Sequence, residues 1–217
     1  MCELVVHVRA VDLTNRDDTG AVVDALERDG LGVDVFVNNA GFGDYGPFER
    51  REWDKIERML ELNVVSTTFL LHRLVPPMIA RGTGAILNVG SVAGVIPSPL
   101  MGVYAATKAY MNHLSEGLRA ELADTGVTMT VVCPGPVSTE FQEVAGSDAR
   151  PEMPAMFHVD AVTCAQAAVD AMKAGRARVI PGAPLKAAVL AFEALPKAVV
   201  RPFLKGVVAR FRENKTS

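Results

Sequence analysis

Gly84-Ala85-Ile86-Leu87-Asn88-Val89-Gly90-Ser91 is an apolar run closed by a serine, and Tyr104-Ala105-Ala106-Thr107-Lys108 lies near the start of the helical pattern that follows. Gly84–Asn88 reads as a strand, and Val33–Val37, a short continuous apolar run, as a strand covered on both faces. From Val103 to Asp124 the apolar residues take up a helical period. The same alternation extends outward in both directions. Towards the N-terminus stand a strand at Leu4–Val11, a helix opened by a capping-box-like Thr14 and Asp17 with Val22, Val23 and Leu26 on its apolar face, and a strand at Val33–Val37. A glycine-rich loop from Gly41 to Gly46 then leads past Pro47 into helical sequence running, with a break, to about Arg81. Downstream come a strand at Val127–Cys133 ended by Pro134-Gly135-Pro136, a helix at Asp160–Ala174 and a last strand at Ala177–Ile180. Strands alternating with helices imply an α/β fold, a doubly wound parallel sheet with crossover helices on both faces. Such sheets bind ligands at the carboxyl ends of their strands, where Asp12, Asn38, Ser91 and Pro134 fall. Glu140–Phe157, the one long irregular stretch, reads as a lid.

With 217 residues, 49% hydrophobic and 22% charged, the chain can bury a substantial core and has no disordered composition. A formal charge of −3 gives no electrostatic case for nucleic acid as a partner. Cys2, Cys133 and Cys164 are too scattered for a disulfide framework, and His7, His72, His113 and His158 lack metal-ligand spacing. No signal-peptide profile opens the sequence and no apolar run reaches the length of about 20 residues that spans a bilayer. A cytoplasmic protein is expected, and Asn214-Lys215-Thr216 is then an accidental glycosylation pattern. Residues 1–182 read as the α/β domain and 183–217 as a basic amphipathic tail. That tail carries seven Lys/Arg against Glu193 and Glu213, so it could dock on a partner subunit or lie on an anionic membrane surface.

Tyr104 and Lys108, four residues apart, share one helix face. A phenol with a pKa of about 10 shuttles protons poorly at neutral pH, and a neighbouring ammonium favours its ionised form. Tyrosine beside lysine, with a serine hydroxyl brought near by the fold, suits proton transfer to or from an alcohol oxygen. The bland alternatives are an exposed helix pair for Tyr104 and Lys108 and a strand-end turn residue for Ser91. Gly90-Ser91-Val92-Ala93-Gly94 is no nucleophile elbow, because its glycines stand one before and three after the serine.

Asn38-Asn39-Ala40-Gly41, Asn63, Ser91, Tyr104 with Lys108, and Pro134-Gly135-Pro136-Val137-Ser138-Thr139 occur in an order and spacing that resemble the short-chain dehydrogenase/reductase superfamily, from about Val11 to Thr139. The resemblance implies a Rossmann-like sheet and interconversion of an alcohol and a ketone with a nicotinamide cofactor. It makes Tyr104 the general acid, Lys108 its activator and the holder of the nicotinamide ribose, and Ser91 a hydrogen-bond partner of the substrate oxygen. Asn63 would sit at a helix distortion and position a water. Asn39, Ala40 and Gly41 would wall the adenine ribose, and Asp12 would stand near the adenine ring unless it only caps the helix beside Thr14. Pro134, Gly135, Val137 and Thr139 would flank the carboxamide. NADP is the preferred cofactor of similar proteins, with NAD the alternative, and the substrate would be lipophilic or ketoacyl-like. Phe141, Met153, Met156 and Phe157 in the lid, with Pro97, Leu100 and Met101, would line an apolar pocket or serve as core cover. A homo-oligomer is expected.

The family's opening strand, Gly-x-x-x-Gly-x-Gly turn and helix find no match in this sequence. Leu4–Val11 corresponds to its third strand, so the first strand, helix and second strand are expected to be missing, most simply because the working protein begins further upstream. The alternative is a non-catalytic remnant or pseudoenzyme that associates with a full-length relative. Without the missing strands Val33–Val37 would be an exposed apolar edge.

Overall fold

Buried parallel strands need neighbours on both edges and cover on both faces, and the sequence meets these needs only in part. The structure, a computed structural model, describes residues 5–137, 141, 145–146 and 153–213. Strands β1 (Val35–Asn38), β2 (Gly84–Val89), β3 (Val127–Val132) and β4 (Arg178–Val179) form one parallel sheet in that spatial order. The register sets Val37 beside Leu87, Asn88 beside Val131 and Val132 beside Val179.

Around the sheet run α1 (Arg16–Arg28), α2 (Trp53–Leu60), α3 (Thr67–Arg81), α4 (Gly102–Glu121), α5 (Ala161–Lys173), α6 (Ala183–Glu193) and α7 (Lys197–Glu213). Asn15, not Thr14, caps α1: its side chain accepts from the amides of Asp17 and Asp18, while Thr14 is drawn back to Asp12. The break expected near Asn63 is a π-helical turn, Glu61–Ser66, that carries α2 into α3. At Gly82, φ of 68° ends α3 in the left-handed conformation that glycine adopts without strain. Asp160 caps α5 by accepting from Thr163 N at 2.9 Å.

One face of the sheet presents Ile86 and Met129 to Leu71 and Met78 of α3 and to Leu114 and Leu118 of α4. The opposite face presents Leu87 and Val132 to Ala168 and Met172 of α5. Part of what reads as a tail belongs to the core. Leu185 and Val189 of α6 pack with Val131, Cys133 and Ile180, so a boundary at residue 182 would cut through a packed cluster.

The N-terminal expectation is corrected. Residues 5–12 form no strand, and Val5, Val6 and Val8 are 69%, 71% and 87% exposed. Hydrophobic sequence alone cannot make a strand when no ladder partner lies beside it. Arg9 pairs with Asp29 at 3.2 Å, and Leu13 O accepts from Thr19 Oγ1 and Ser66 Oγ, tying the segment to α1 and to the π-helical turn. β1 is consequently an edge strand, and Val35 and Val37 remain 50% exposed, so the apolar run at Val33–Val37 is not the strand covered on both faces that its composition predicts.

Candidate active site

Ser91, Tyr104 and Lys108 come together where β2 ends and α4 begins. Helical spacing stacks Tyr104 beneath Lys108, and the ammonium nitrogen lies 5.9 Å from the centre of the phenol ring. Lys108 Nζ donates to Val89 O at 2.7 Å, two residues before Ser91. Burial pushes the Lys108 ammonium down to about 8, with the neighbouring Cys133 acting in the opposite sense. Ser91 caps the short turn Val92–Gly94, its hydroxyl accepting from Ala93 N at 3.1 Å. Val92 N donates to Pro134 O at 3.0 Å, which ties this turn to the loop after β3.

Asn63 is buried in the π-helical turn. Its Nδ2 donates to Phe42 O at 2.9 Å and to Thr107 Oγ1 at 3.1 Å, and its Oδ1 accepts from Phe42 N at 3.2 Å. The side chain thereby pins the loop after β1 against α4. Gly41 is required there, since a Cβ on it would stand 2.9 Å from Asn63 Oδ1 and 3.5 Å from Lys108 Nζ. Asn38 and Asn88 continue the polar seam: Asn38 Nδ2 donates to Asn88 Oδ1 at 3.2 Å, and Asn88 Nδ2 to Ser115 Oγ at 2.9 Å.

The remaining predicted positions divide. Asn39 and Ala40 are exposed at the carboxyl end of β1. Pro134 and Gly135 follow β3, and a Cβ on Gly135 would stand 2.4 Å from Leu185 Cδ2, so that glycine serves the packing of α6. Val137 bridges to Val159. Thr139 lies outside the described residues, as do residues 140, 142–144 and 147–152 of the expected lid. Asp12 is exposed, and hydrogen bonds from the hydroxyl and amide of Thr14 hold its carboxyl below the usual range. This is a turn ahead of the helix, while the cap itself falls to Asn15.

Phe141 sits on the tyrosine, the ring centres 5.4 Å apart and tilted by 52°. Tyr45, Met59 and Met101 complete an apolar cluster around Tyr104, with Phe42, Leu100 and Val103 against it. Met59, Leu100, Met101 and Val103 also line a cavity of about 230 Å³. Met156 is 64% exposed, while Phe157 packs on the cluster around Val131. Sequence reasoning missed Thr107 and Asn112. Asn112 was legible as a third step of the Tyr104–Lys108 spacing, and Thr107 gave no signal.

A nicotinamide ribose would suit these surroundings. Lys108 spends one N–H on Val89 O and meets no carboxylate among the described residues, so it has donors left for ribose hydroxyls. A pyrophosphate finds no comparable seat at the start of α1, where Asp17 and Asp18 fill the first turn and the Asn15 side chain already takes two amides.

Residues 2–150 match the family model described as short chain dehydrogenase. A sulfoacetaldehyde reductase from Chromohalobacter salexigens is 38% identical over 139 residues, covering 63% of this chain and 54% of that protein. Human 17-beta-hydroxysteroid dehydrogenase type 1 is 41% identical over 132 residues, covering 60% of this chain and 40% of its own. The chain thus spans about half the length of the curated relatives it matches. Among solved structures, a short-chain dehydrogenase from Sphingobium yanoikuyae in complex with NADPH superposes with a TM-score of 0.73 at 34% identity, over 84% of this chain and 70% of that one. With an alcohol dehydrogenase from Comamonas testosteroni, specific for bulky-bulky ketones, the TM-score is 0.66 at 30% identity, over 78% and 63%. A parallel sheet of this order, a tyrosine and lysine stacked beside its second strand, and a family match across 2–150 agree: the chain belongs to the short-chain dehydrogenase family.

Proposed function

We propose that this chain carries the catalytic half of an oxidoreductase that interconverts an alcohol and a ketone, with NADP as the preferred nicotinamide cofactor and NAD as the alternative. The observation that carries this reading is the buried stack of Tyr104 and Lys108 at the end of β2, beside Ser91. In the reducing direction Tyr104 Oη gives its proton to the carbonyl oxygen. The Lys108 ammonium favours the phenolate left behind, and Ser91 Oγ holds the same oxygen as charge develops on it. Asn63 keeps the loop after β1 closed on α4, and with it the wall formed by Asn39, Ala40 and Gly41. The bound cofactor supplies the hydride. Pro134, Val137 and Thr139 are assigned to its carboxamide side.

A lipophilic substrate is supported by Phe141, Tyr45, Met59 and Met101 around the tyrosine. The activities in the relatives' names, sulfoacetaldehyde reductase and 17-beta-hydroxysteroid dehydrogenase among them, are too diverse to choose one compound. We assign the protein to the cytoplasm: no described helix is long and apolar enough to cross a membrane, which is compatible with that assignment. A homo-oligomer and peripheral membrane contact through residues 183–217 belong to the same proposal.

A second reading is that the chain works as a non-catalytic partner of a full-length relative. The free edge of β1 and the acidic first turn of α1 favour it. Calorimetric titration with NADPH separates the two, together with turnover of an apolar ketone by the wild-type chain and by Tyr104→Phe. The enzyme reading requires binding in both and a loss of at least about 10² in turnover in the variant. A wild-type chain that neither binds NADPH nor turns over a ketone, yet forms a stable complex with a full-length relative, supports the partner reading.

A further inference from the structure

Tyr104, Lys108 and Asn112 occupy successive four-residue steps of α4, so their side chains line one face of the helix. The first two have their roles in the proposed reaction, and the third is unassigned by it. Asn112 is 7% exposed, and its amide is used at both ends. Nδ2 donates to Ser91 O at 3.2 Å, and Oδ1 accepts from Cys133 Sγ at 3.4 Å. The fit is tight on its third side, since a Cβ on Gly90 would stand 2.1 Å from Asn112 Oδ1. Gly90 is thus glycine because the amide occupies the place of its side chain.

Two steps of α4 therefore grip the main chain on either side of Gly90. Lys108 holds Val89 O and Asn112 holds Ser91 O. Between donating to a carbonyl and accepting from a thiol, a neutral amide of this length satisfies both partners at once. An aspartate would turn an acceptor towards Ser91 O, and a leucine would leave that oxygen without its donor.

We propose that Asn112 is a positioning residue that acts through Ser91, locking the turn between β2 and α4 so that the serine hydroxyl and the tyrosine phenol address the same substrate oxygen. This rests on the reading of Ser91 and Tyr104 as the groups that touch that oxygen. A misplacement of about 1 Å in such a constellation can cost about 10²-fold in rate. Loss of the lock should therefore appear in turnover more than in KM.

The test uses the full chain with Asn112→Asp, Ser91→Ala, the double variant and Cys133→Ala. Asn112→Asp keeps the shape and an acceptor for Cys133 but loses the donor to Ser91 O. Hydrogen exchange at Ala93 N–H, which is bonded to Ser91 Oγ, reports the position of the serine without any turnover. The lock predicts faster Ala93 exchange in Asn112→Asp and unchanged exchange in Cys133→Ala. In kinetics it predicts a 10- to 100-fold lower kcat with KM nearly constant for Asn112→Asp, and a double variant no slower than Ser91→Ala alone. Unchanged Ala93 exchange, or effects of Ser91→Ala and Asn112→Asp that multiply, would overturn the proposal. Full activity in Ser91→Ala would instead count against the catalytic reading, while the exchange measurement still decides whether Asn112 places the serine.

Discussion

The ammonium nitrogen of Lys108 donates to the main-chain oxygen of Val89 at 2.7 Å in a site where no carboxylate among the described residues neutralises it. Burial holds the folded-state pKa at about 8, against an ordinary value near 10.5. Between those values the unfolded chain carries a proton that the folded chain has released, so stability rises with pH across that window. Below it both states are protonated and the cost of burying the charge is felt in full. The rise amounts to about 3 kcal/mol if Lys108 acts alone. Urea unfolding from pH 7 to 10.5 measures it, with Lys108→Met as the reference. Equal pH slopes in the two proteins would refute the assignment.

Asn63→Ala removes the two bonds that its side chain makes with the main chain of Phe42, leaving a partly buried N–H and C=O to find other partners. The expected cost is about 1–3 kcal/mol of stability. Chemical unfolding reads it directly. A neutral result would mean that the loop after β1 is held by something other than this amide.

The outer edge of β1 and the side chains of Val35 and Val37 offer a template for pairing with another chain. Concentration-dependent association is expected, and Val37→Lys should reduce it by placing a charge on the edge. Sedimentation velocity over a concentration series tests this. A wild-type chain that stays monomeric throughout would show the edge to be protected.

Leu185→Ala, in α6, should cost about 2–5 kcal/mol, because Leu185 is only 3% exposed within a core cluster. Deleting residues 183–217 should accordingly unfold the domain. A truncated chain that keeps its sheet, coupled with sedimentation of the intact chain on anionic vesicles, would return the segment to the role of a membrane-surface tail.

Much of this molecule is local. The strands at Gly84 and Val127, the long helix carrying Tyr104 and Lys108, and the helical distortion at Asn63 follow from apolar period, turn residues and spacing within a few residues of each position. The stacking of Tyr104 on Lys108 follows from the 3.6-residue turn. Other features depend on partners distant in sequence. Leu4–Val11 has the composition of a strand, yet residues 5–12 remain outside the sheet because a ladder needs a neighbouring backbone. Thr14 looks like a cap, but the competing bond to Asp12 transfers that role to Asn15. The amphipathic pattern after residue 182 identified a helix without revealing that its apolar face closes over Val131 and Cys133. Most of all, the grip of Asn112 on Ser91 O spans 21 residues and exists only because β2 and α4 pack with Gly90 between them. The sequence by itself determined which side chains are candidates for proton-transfer chemistry and which segments alternate. Tertiary packing alone decided which backbone groups hold those side chains in place and which edge of the sheet is left unpaired, because both depend on contacts between residues far apart along the chain.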